Sequence, residues 1–383
     1  MRFAVDAHAI GQHLTGNEVY VRNLLNAFAA VDRRSEYIAY VSNAGAHDQV
    51  PRRFLTRRIA ANPFLRLGGD LSYQLRRDRP SLIHVQYTAP FACPVPVVVS
   101  VHDISFLEHP EFFTKARQRQ LQWTVRRTVM CAARVLTGSE FSREAIVRAY
   151  GLPPEKVIVV ANAADAGFRP VSRAHAAAEV LRRFRIAEPY ILCVGDLQTR
   201  KNQTGLIRAF AELVRSHPQF PHSLLLAGKD TWMAGRVREA ARQSGVASRI
   251  RFTGFVSDDD LLYLYNACDL FVFPSLYEGF GLPVLEAMAC GRAVCASNTS
   301  AIPEVADGAA ILFDPRSTGG MTRAILDLLR DSELRSRMER LGQQRAAQFD
   351  WQKTARKTLE VYREVAAPAG SQLGTRAVSA SRR

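Results

Sequence analysis

Along nearly the whole chain, short runs of β-branched and apolar residues alternate with stretches in which apolar residues recur every three or four positions. Runs that are apolar almost throughout suit strands covered on both faces, and the stretches between suit amphipathic helices. The pattern therefore predicts parallel α/β architecture. In the first half the predicted strands are Arg2–Asp6, Tyr37–Ser42, Leu82–Gln86, Val95–Val101, Arg134–Thr137 and Val157–Val160. Between the first two, Val19, Leu24, Leu25 and Phe28 share one helical stripe after Gly16-Asn17, which reads as a cap. This is the pattern of a doubly wound domain.

The texture changes at NAADAGFRP, residues 162–170, which is small, polar and ends in proline. The alternation then restarts with Tyr190–Gly195, Ser223–Gly228, Arg249–Thr253, Leu270–Pro274, Ala293–Ala296 and Ala310–Phe313. A first domain over residues 1–168 and a second over 171–345 follow, then a last helix over 351–366. The tail 367–383 is too poor in apolar residues to order itself. Two such domains in tandem leave a cleft between the carboxyl ends of their strands, where ligands of open parallel sheets bind.

Composition narrows the class. The 383 residues are 47% hydrophobic, enough for two cores. No stretch reaches the roughly 18 uninterrupted apolar residues of a membrane span, and Arg2–Asp6 reads as a strand with no sign of a signal peptide. A cytoplasmic protein is expected. Six scattered cysteines (Cys93, Cys131, Cys193, Cys268, Cys290, Cys295) form no Cys-x-x-Cys pair, which fits reduced thiols better than a disulfide frame or a zinc site.

The formal charge of +15 and the pI near 10.0 change the picture more, because the excess is local. Pro51 to Pro80 holds eight arginines against Asp70 and Asp78, and Thr114 to Arg134 holds six basic residues and no acid. Such surfaces suit an anionic partner, and nucleic acid and an anionic membrane surface are both admissible on charge. Nucleic acid is not expected, because the arginines are not interleaved with aromatics and no reading motif is present. No Gly-x-Gly-x-x-Gly follows either opening strand, which disfavours a nicotinamide dehydrogenase.

The chemistry is concentrated after two strands of the second half. In YILCVGDLQTRKN, Arg200 and Lys201 lie in the loop before a helix starting near Asn202, and two cations beside a helix N-terminus suit a phosphate or diphosphate. In LYEGFGLPVLEAMACG, residues 276–291, Glu278, Gly279, Phe280 and Gly281 form a turn at a strand's mouth, and Leu282 opens the next helix. The glycines allow close backbone approach or positive φ, and the helix start offers amides to an anion. Glu286 is one turn into that helix, bracketed by Val284, Leu285 and Met288, so it is expected to be partly buried and to need a partner. Both glutamates suit sugar or ribose hydroxyls. His102 ends an apolar run, which puts it at the cleft, whereas His84 lies inside a predicted strand and reads as a satisfied core histidine. Asp258-Asp259-Asp260 follows Ser257 and precedes an apolar-periodic stretch, so it reads as an acidic helix start and not as a metal site.

The segment resembles the Glu-x7-Glu signature of the family-four retaining glycosyltransferases, which have the GT-B architecture of two facing doubly wound Rossmann-like domains with a central cleft. Other matching pieces occur in order: LTGNEVYVRNLL, VVVSVHDISFLEHPEFF, TGSEFSREAI, ILCVGDLQTRKN, LLLAGK, IRFTGFVSDDDLLYLYNACDLFVFPS and SAIPEVADGAAILFDP. The likeness runs to about Ala366 and is strongest to bacterial mannosyltransferases of surface polysaccharide assembly.

The resemblance implies transfer of a hexose from a nucleoside diphosphate sugar to a hydroxyl acceptor with the anomeric configuration kept. Mannose from GDP-mannose is the preferred donor, glucose or a related sugar from a UDP-sugar the other. A glycan or lipid-diphosphate-linked acceptor is implied, and no metal or other cofactor. It implies that Glu286 binds the donor ribose and that Glu278 contacts hydroxyls of the transferred hexose. Arg200 and Lys201 would hold the diphosphate, amides around Gly279, Phe280, Gly281 and Leu282 would position sugar and phosphate, and Phe255 and Val256 would border the base. In the first domain Gly16 would face the diphosphate and His102 would reach the sugar. The last helix would cross back onto the first domain. Two departures stand out: Gly16-Asn17 where many relatives have two glycines, and Asn162-Ala163-Ala164 where Asn-Gly-Val is commoner. A non-catalytic sugar-nucleotide-binding homologue is the alternative, and its mark would be loss of Glu278, Arg200, Lys201 or His102; all four are present.

Overall fold

The structure is a computed structural model that describes residues 1–12 and 15–367. All but the first residue of the predicted tail lies outside the described residues. Two parallel sheets carry the molecule. The first is built from β1 (Arg2–Asp6), β2 (Glu36–Val41), β3 (Leu55–Arg58), β4 (Leu82–Gln86), β5 (Val97–Ser100), β6 (Arg134–Thr137) and β7 (Val157–Val159), in the order β3-β2-β1-β4-β5-β6-β7. The second contains β8 (Tyr190–Val194), β9 (Ser223–Ala227), β10 (Ile250–Gly254), β11 (Leu270–Phe273), β12 (Val294–Ser297) and β13 (Ile311–Phe313), in the order β10-β9-β8-β11-β12-β13. The strand order reverses between β1 and β4 in one sheet and between β8 and β11 in the other, and these switch points open the crevices where such sheets take ligands.

The central strands are buried at every position, as β4, β5 and β11 show, because helices cover both faces. Each sheet accordingly has two apolar clusters, one per face. The strand the sequence did not announce is β3. Its LTRR lies at the sheet edge, half exposed and carrying two of the eight arginines, and a charged edge strand has no apolar run to read.

Burial of His84 inside β4 is made tolerable by a closed polar chain. Its Nδ1 meets the Tyr362 hydroxyl at 2.6 Å, its Nε2 meets Ser100 Oγ at 2.7 Å, and Ser100 Oγ in turn meets the Tyr20 hydroxyl at 2.9 Å. Burial pushes the imidazole down to about 3, so it is neutral. Tyr362 belongs to the helix Trp351–Ala366, whose Trp351, Ala355, Leu359 and Tyr362 join Phe3, Leu24 and Phe28 in one cluster of the first domain. Thr354 of that helix also donates from Oγ1 to the Ala161 carbonyl at 2.7 Å.

Candidate active site

The site is assembled where β8 and β11 end. After β11 the chain turns through Pro274–Phe280 and enters the helix Leu282–Ala289 from Gly281, whose φ of +107° is in the region that favours glycine. Glu278 stands on this turn, only 7% exposed, and is held by two cations from the turn after β8. Arg200 Nη1 lies 2.8 Å from its Oε2, and Lys201 Nζ lies 2.7 Å from its Oε1. The backbone fixes the turn further: Glu278 N donates to Ser300 Oγ at 2.9 Å and Arg200 Nη1 donates to the Tyr277 carbonyl at 2.8 Å. Burial acts to raise the Glu278 carboxyl, but Arg200 and Lys201 overcome it and hold the group at about 2. Arg200 is held in its charged form against burial by Glu278 and by Asp103. Lys201 packs its ammonium over the Phe273 ring, 4.9 Å from the centroid, and its stem against Gly195.

Glu286, in contrast, has no cation at bonding distance among the described residues. Its Oε2 accepts from the Tyr265 hydroxyl at 2.8 Å, and burial lifts its carboxyl to about 7 despite that bond. The partner expected from the apolar bracketing is therefore Tyr265, a residue the sequence did not single out. Of the pair after β10, Phe255 is exposed and Val256 is buried in the apolar cluster, so only the backbone of Val256 is open to a ligand.

From the first domain, His102 follows β5. Its Nε2 donates to the Gln86 amide oxygen at 3.0 Å, since that oxygen can only accept, and Nδ1 is left as the acceptor. Tyr20 packs edge-on against the ring at 4.6 Å, and burial pushes the imidazole down to about 4, so His102 is neutral at neutral pH. Gly16 is near the start of the helix Thr15–Val31, exposed, and among the described residues nothing lies within 4 Å of where a Cβ would stand.

The two domains touch through the turn itself. A Cβ on Gly279 would fall 1.9 Å from the His102 carbonyl oxygen. Ser139 Oγ and Ser142 Oγ both donate to the Gly279 carbonyl, at 2.7 and 3.1 Å. Phe280 turns inward against Gly138 and Phe349, so its backbone, not its ring, is what the site can use. Nearby, the amides of Glu140 and Phe141, at the start of the helix Glu140–Tyr150, donate to the Glu304 carboxylate at 2.9 and 3.2 Å, and Arg22 pairs with Asp258. Asp258 opens the helix Asp258–Ala267, whose cap Ser257 accepts from Asp260 N at 3.2 Å. Among the described residues no three His, Cys, Asp or Glu side chains group as metal ligands.

The structure thus brings Arg200, Lys201 and Glu278 into direct contact and sets Gly279 against His102. Among the described residues, Glu286 bonds Tyr265 and not that cluster, and Gly16 lies at the start of the helix Thr15–Val31. Asp103, Tyr265, Ser139, Ser142 and Glu304 went unread. All five lie inside segments that carry the resemblance, and Ser139 alone had a local signal, as the hydroxyl that opens a helix in Ser139-Glu140-Phe141-Ser142.

Two facing doubly wound domains with a cation and carboxylate cluster at the switch point of the second define a GT-B glycosyltransferase fold. The sequence profile of Glycosyltransferase Family 4 matches residues 14–168 and that of Glycosyl transferases group 1 matches residues 182–345, and the chain belongs to this glycosyltransferase family. It is an enzyme of hexosyl transfer. It is 34% identical over 267 residues to the O-antigen chain mannosyltransferase B of Escherichia coli, covering 70% of each chain. It is 31% identical over 225 residues to the serotype-specific mannosyltransferase WbdA of Escherichia coli, covering 58% of this chain and 28% of that much longer protein. Among solved structures, the sucrose-phosphate synthase of Thermosynechococcus elongatus superposes with a TM-score of 0.78 at 20% identity, over 95% of this chain and 99% of that one.

Proposed function

We propose that this enzyme is a retaining mannosyltransferase that takes mannose from GDP-mannose and adds it to a hydroxyl of a growing surface polysaccharide carried on a lipid diphosphate. The observation that carries the reading is the buried Glu278–Arg200–Lys201 cluster at the carboxyl ends of β8 and β11. The 34% identity to an O-antigen mannosyltransferase supports mannose as the sugar.

In this reading the donor diphosphate competes with Glu278 for Arg200 and Lys201, and each cation stabilises the negative charge that grows as the bond from C1 to the leaving oxygen breaks. The reading calls on no metal ion for that charge. Glu278, displaced from the cations, is free to accept hydrogen bonds from the hexose hydroxyls. The acceptor hydroxyl attacks C1 from the face the diphosphate leaves, and its proton passes to the departing phosphate oxygen. His102, neutral, offers Nδ1 to a sugar hydroxyl, and Glu286 takes the ribose. The amides of Gly281 and Leu282 at the helix start face the phosphate, Gly16 lets it approach on the other side, and Phe255 with the Val256 backbone borders the base.

A membrane carries the acceptor in this reading. No helix among the described residues is long and apolar enough to cross a membrane, so attachment would be to its surface. Phe64, Leu65 and Phe91 leave the carboxyl ends of β3 and β4, the cleft side of the first sheet, and are exposed. Phe91 N donates to the Leu67 carbonyl, and its ring meets Trp123 at 5.6 Å. Arg127 stacks over Phe91, and Arg119 and Arg126 flank Trp123 on the helix Lys115–Cys131. Exposed aromatics ringed by arginines suit the headgroup region of an anionic bilayer.

The test is thermal-shift screening against GDP, UDP and their mannose and glucose conjugates, followed by transfer assays and the anomeric assignment of the product by NMR. Stabilisation by GDP-mannose and an α-linked product from the α-linked donor are expected. Selective stabilisation by a UDP-sugar, or an inverted product, overturns the donor or the retaining assignment respectively.

A further inference from the structure

Tyr265 is completely buried, its ring set edge-on against Phe168 at 5.6 Å and Phe271 at 5.4 Å. Aromatic packing on both sides leaves the ring one position, and a buried phenol needs a partner for its hydroxyl. That partner is Glu286 Oε2 at 2.8 Å. Glu286, on the next helix, keeps part of its surface open, and among the described residues no group bonds its Oε1.

We propose that Tyr265 is a positioning residue for the donor: its hydroxyl pins one oxygen of the Glu286 carboxylate so that the other faces the vicinal diol of the nucleotide ribose. The proposal rests on the reading of Glu286 as the ribose-binding carboxylate. A carboxylate at the end of two methylenes swings freely unless something fixes its plane, and a diol is gripped well only by oxygens already oriented toward it. Tyr265 belongs to the helix Asp258–Ala267, which also carries Asp258, so the same helix that meets Arg22 of the first domain sets the angle of the carboxylate.

The hydrogen bond also bears on charge. Burial favours the protonated acid at Glu286, Asp258 and Asp165 favour it further, and Tyr265 and Lys201 favour the carboxylate. Cys290, one turn along the same helix, is pushed up by burial to about 12 and stays a neutral thiol beside it. In the ionised form the oxygen that Tyr265 leaves open carries no proton and can accept from both hydroxyls of the diol. Losing the Tyr265 bond therefore costs both orientation and ionisation, and both losses act on donor binding.

Tyr265→Phe keeps the ring and its packing and removes only the hydroxyl. The donor KM should rise about tenfold with kcat little changed, the size expected for one hydrogen bond to a charged group. The acid limb of kcat/KM for the donor should move to higher pH. Binding of GDP and UDP, each beside its 2′-deoxy analogue, gives a readout that packing alone would not move: the preference for the ribose form should shrink in the variant. An unchanged preference and an unmoved acid limb overturn the proposal. Glu286→Gln run in parallel separates the two levels. If Glu286→Gln weakens the ribose preference and Tyr265→Phe does not, Tyr265 only packs. If Glu286→Gln leaves donor binding untouched, the reading of Glu286 falls and this proposal with it.

Discussion

A methyl group at position 279 would have to share space with the His102 carbonyl oxygen, 1.9 Å away, and both backbones are tied to sheets that do not yield. Gly279→Ala should therefore hold the domains apart and lower kcat about 100-fold, since an ångström of misplacement across a catalytic cleft is worth that much, while the melting temperature barely moves. Rate assays and calorimetric donor titration would check it. Glu286 makes the opposite kind of demand. Burial raises its carboxyl to about 7 from an ordinary 4.5, so between those values the folded chain binds a proton the unfolded chain has released, and stability falls as pH rises through that window. Glu286→Gln should melt higher than the parent above pH 7 and alike near about pH 4, a comparison that melting curves at the two pH values settle. Both glutamates were legible from their setting, because an acid among apolar neighbours needs a reason. The role of Gly279 was legible only as freedom for the backbone. That the close approach comes from the other domain depends on a contact 177 positions away in sequence (279 less 102), which no local pattern carries.

At the level of elements, runs such as LFVF and VVVS announced central strands because burial on both faces leaves no room for alternation. Boundaries shifted by a residue or two: β2 takes in Glu36, paired with Arg2, and ends before Ser42, and β5 starts only at Val97, after Pro96. The edge strand β3 escaped because its arginines serve the surface. Within β4 the polar exceptions are informative: His84 is there because Ser100 and the last helix both reach it. Tyr362→Phe removes one of those partners and leaves a buried ring nitrogen unsatisfied, which should lower the unfolding free energy by about 1–3 kcal/mol. Urea titration would measure this, and a loss confined to the first domain's transition would place the effect in its core.

At the scale of the whole molecule, the exposed Phe64, Leu65 and Phe91 follow the carboxyl ends of β3 and β4, so in the proposed reading a membrane met there would bring the acceptor toward the cleft. Flotation with anionic vesicles should recover the parent protein, and Trp123→Ala combined with Phe91→Ala should lower recovery severalfold while donor binding is kept. Equal recovery with neutral vesicles would leave the arginines no part in it. The helix Trp351–Ala366 has a further consequence, for synthesis. Thr354 bonds a carbonyl 193 positions earlier, and Tyr362 meets a histidine 278 positions earlier. At roughly 5–20 residues per second, a ribosome takes roughly ten to forty seconds to travel those 193 positions. During that interval the first domain waits with one face of its core uncovered, Phe3, Leu24 and Phe28 among it, while the second domain is still being made. The nascent chain is therefore most in need of a chaperone over the half it made first.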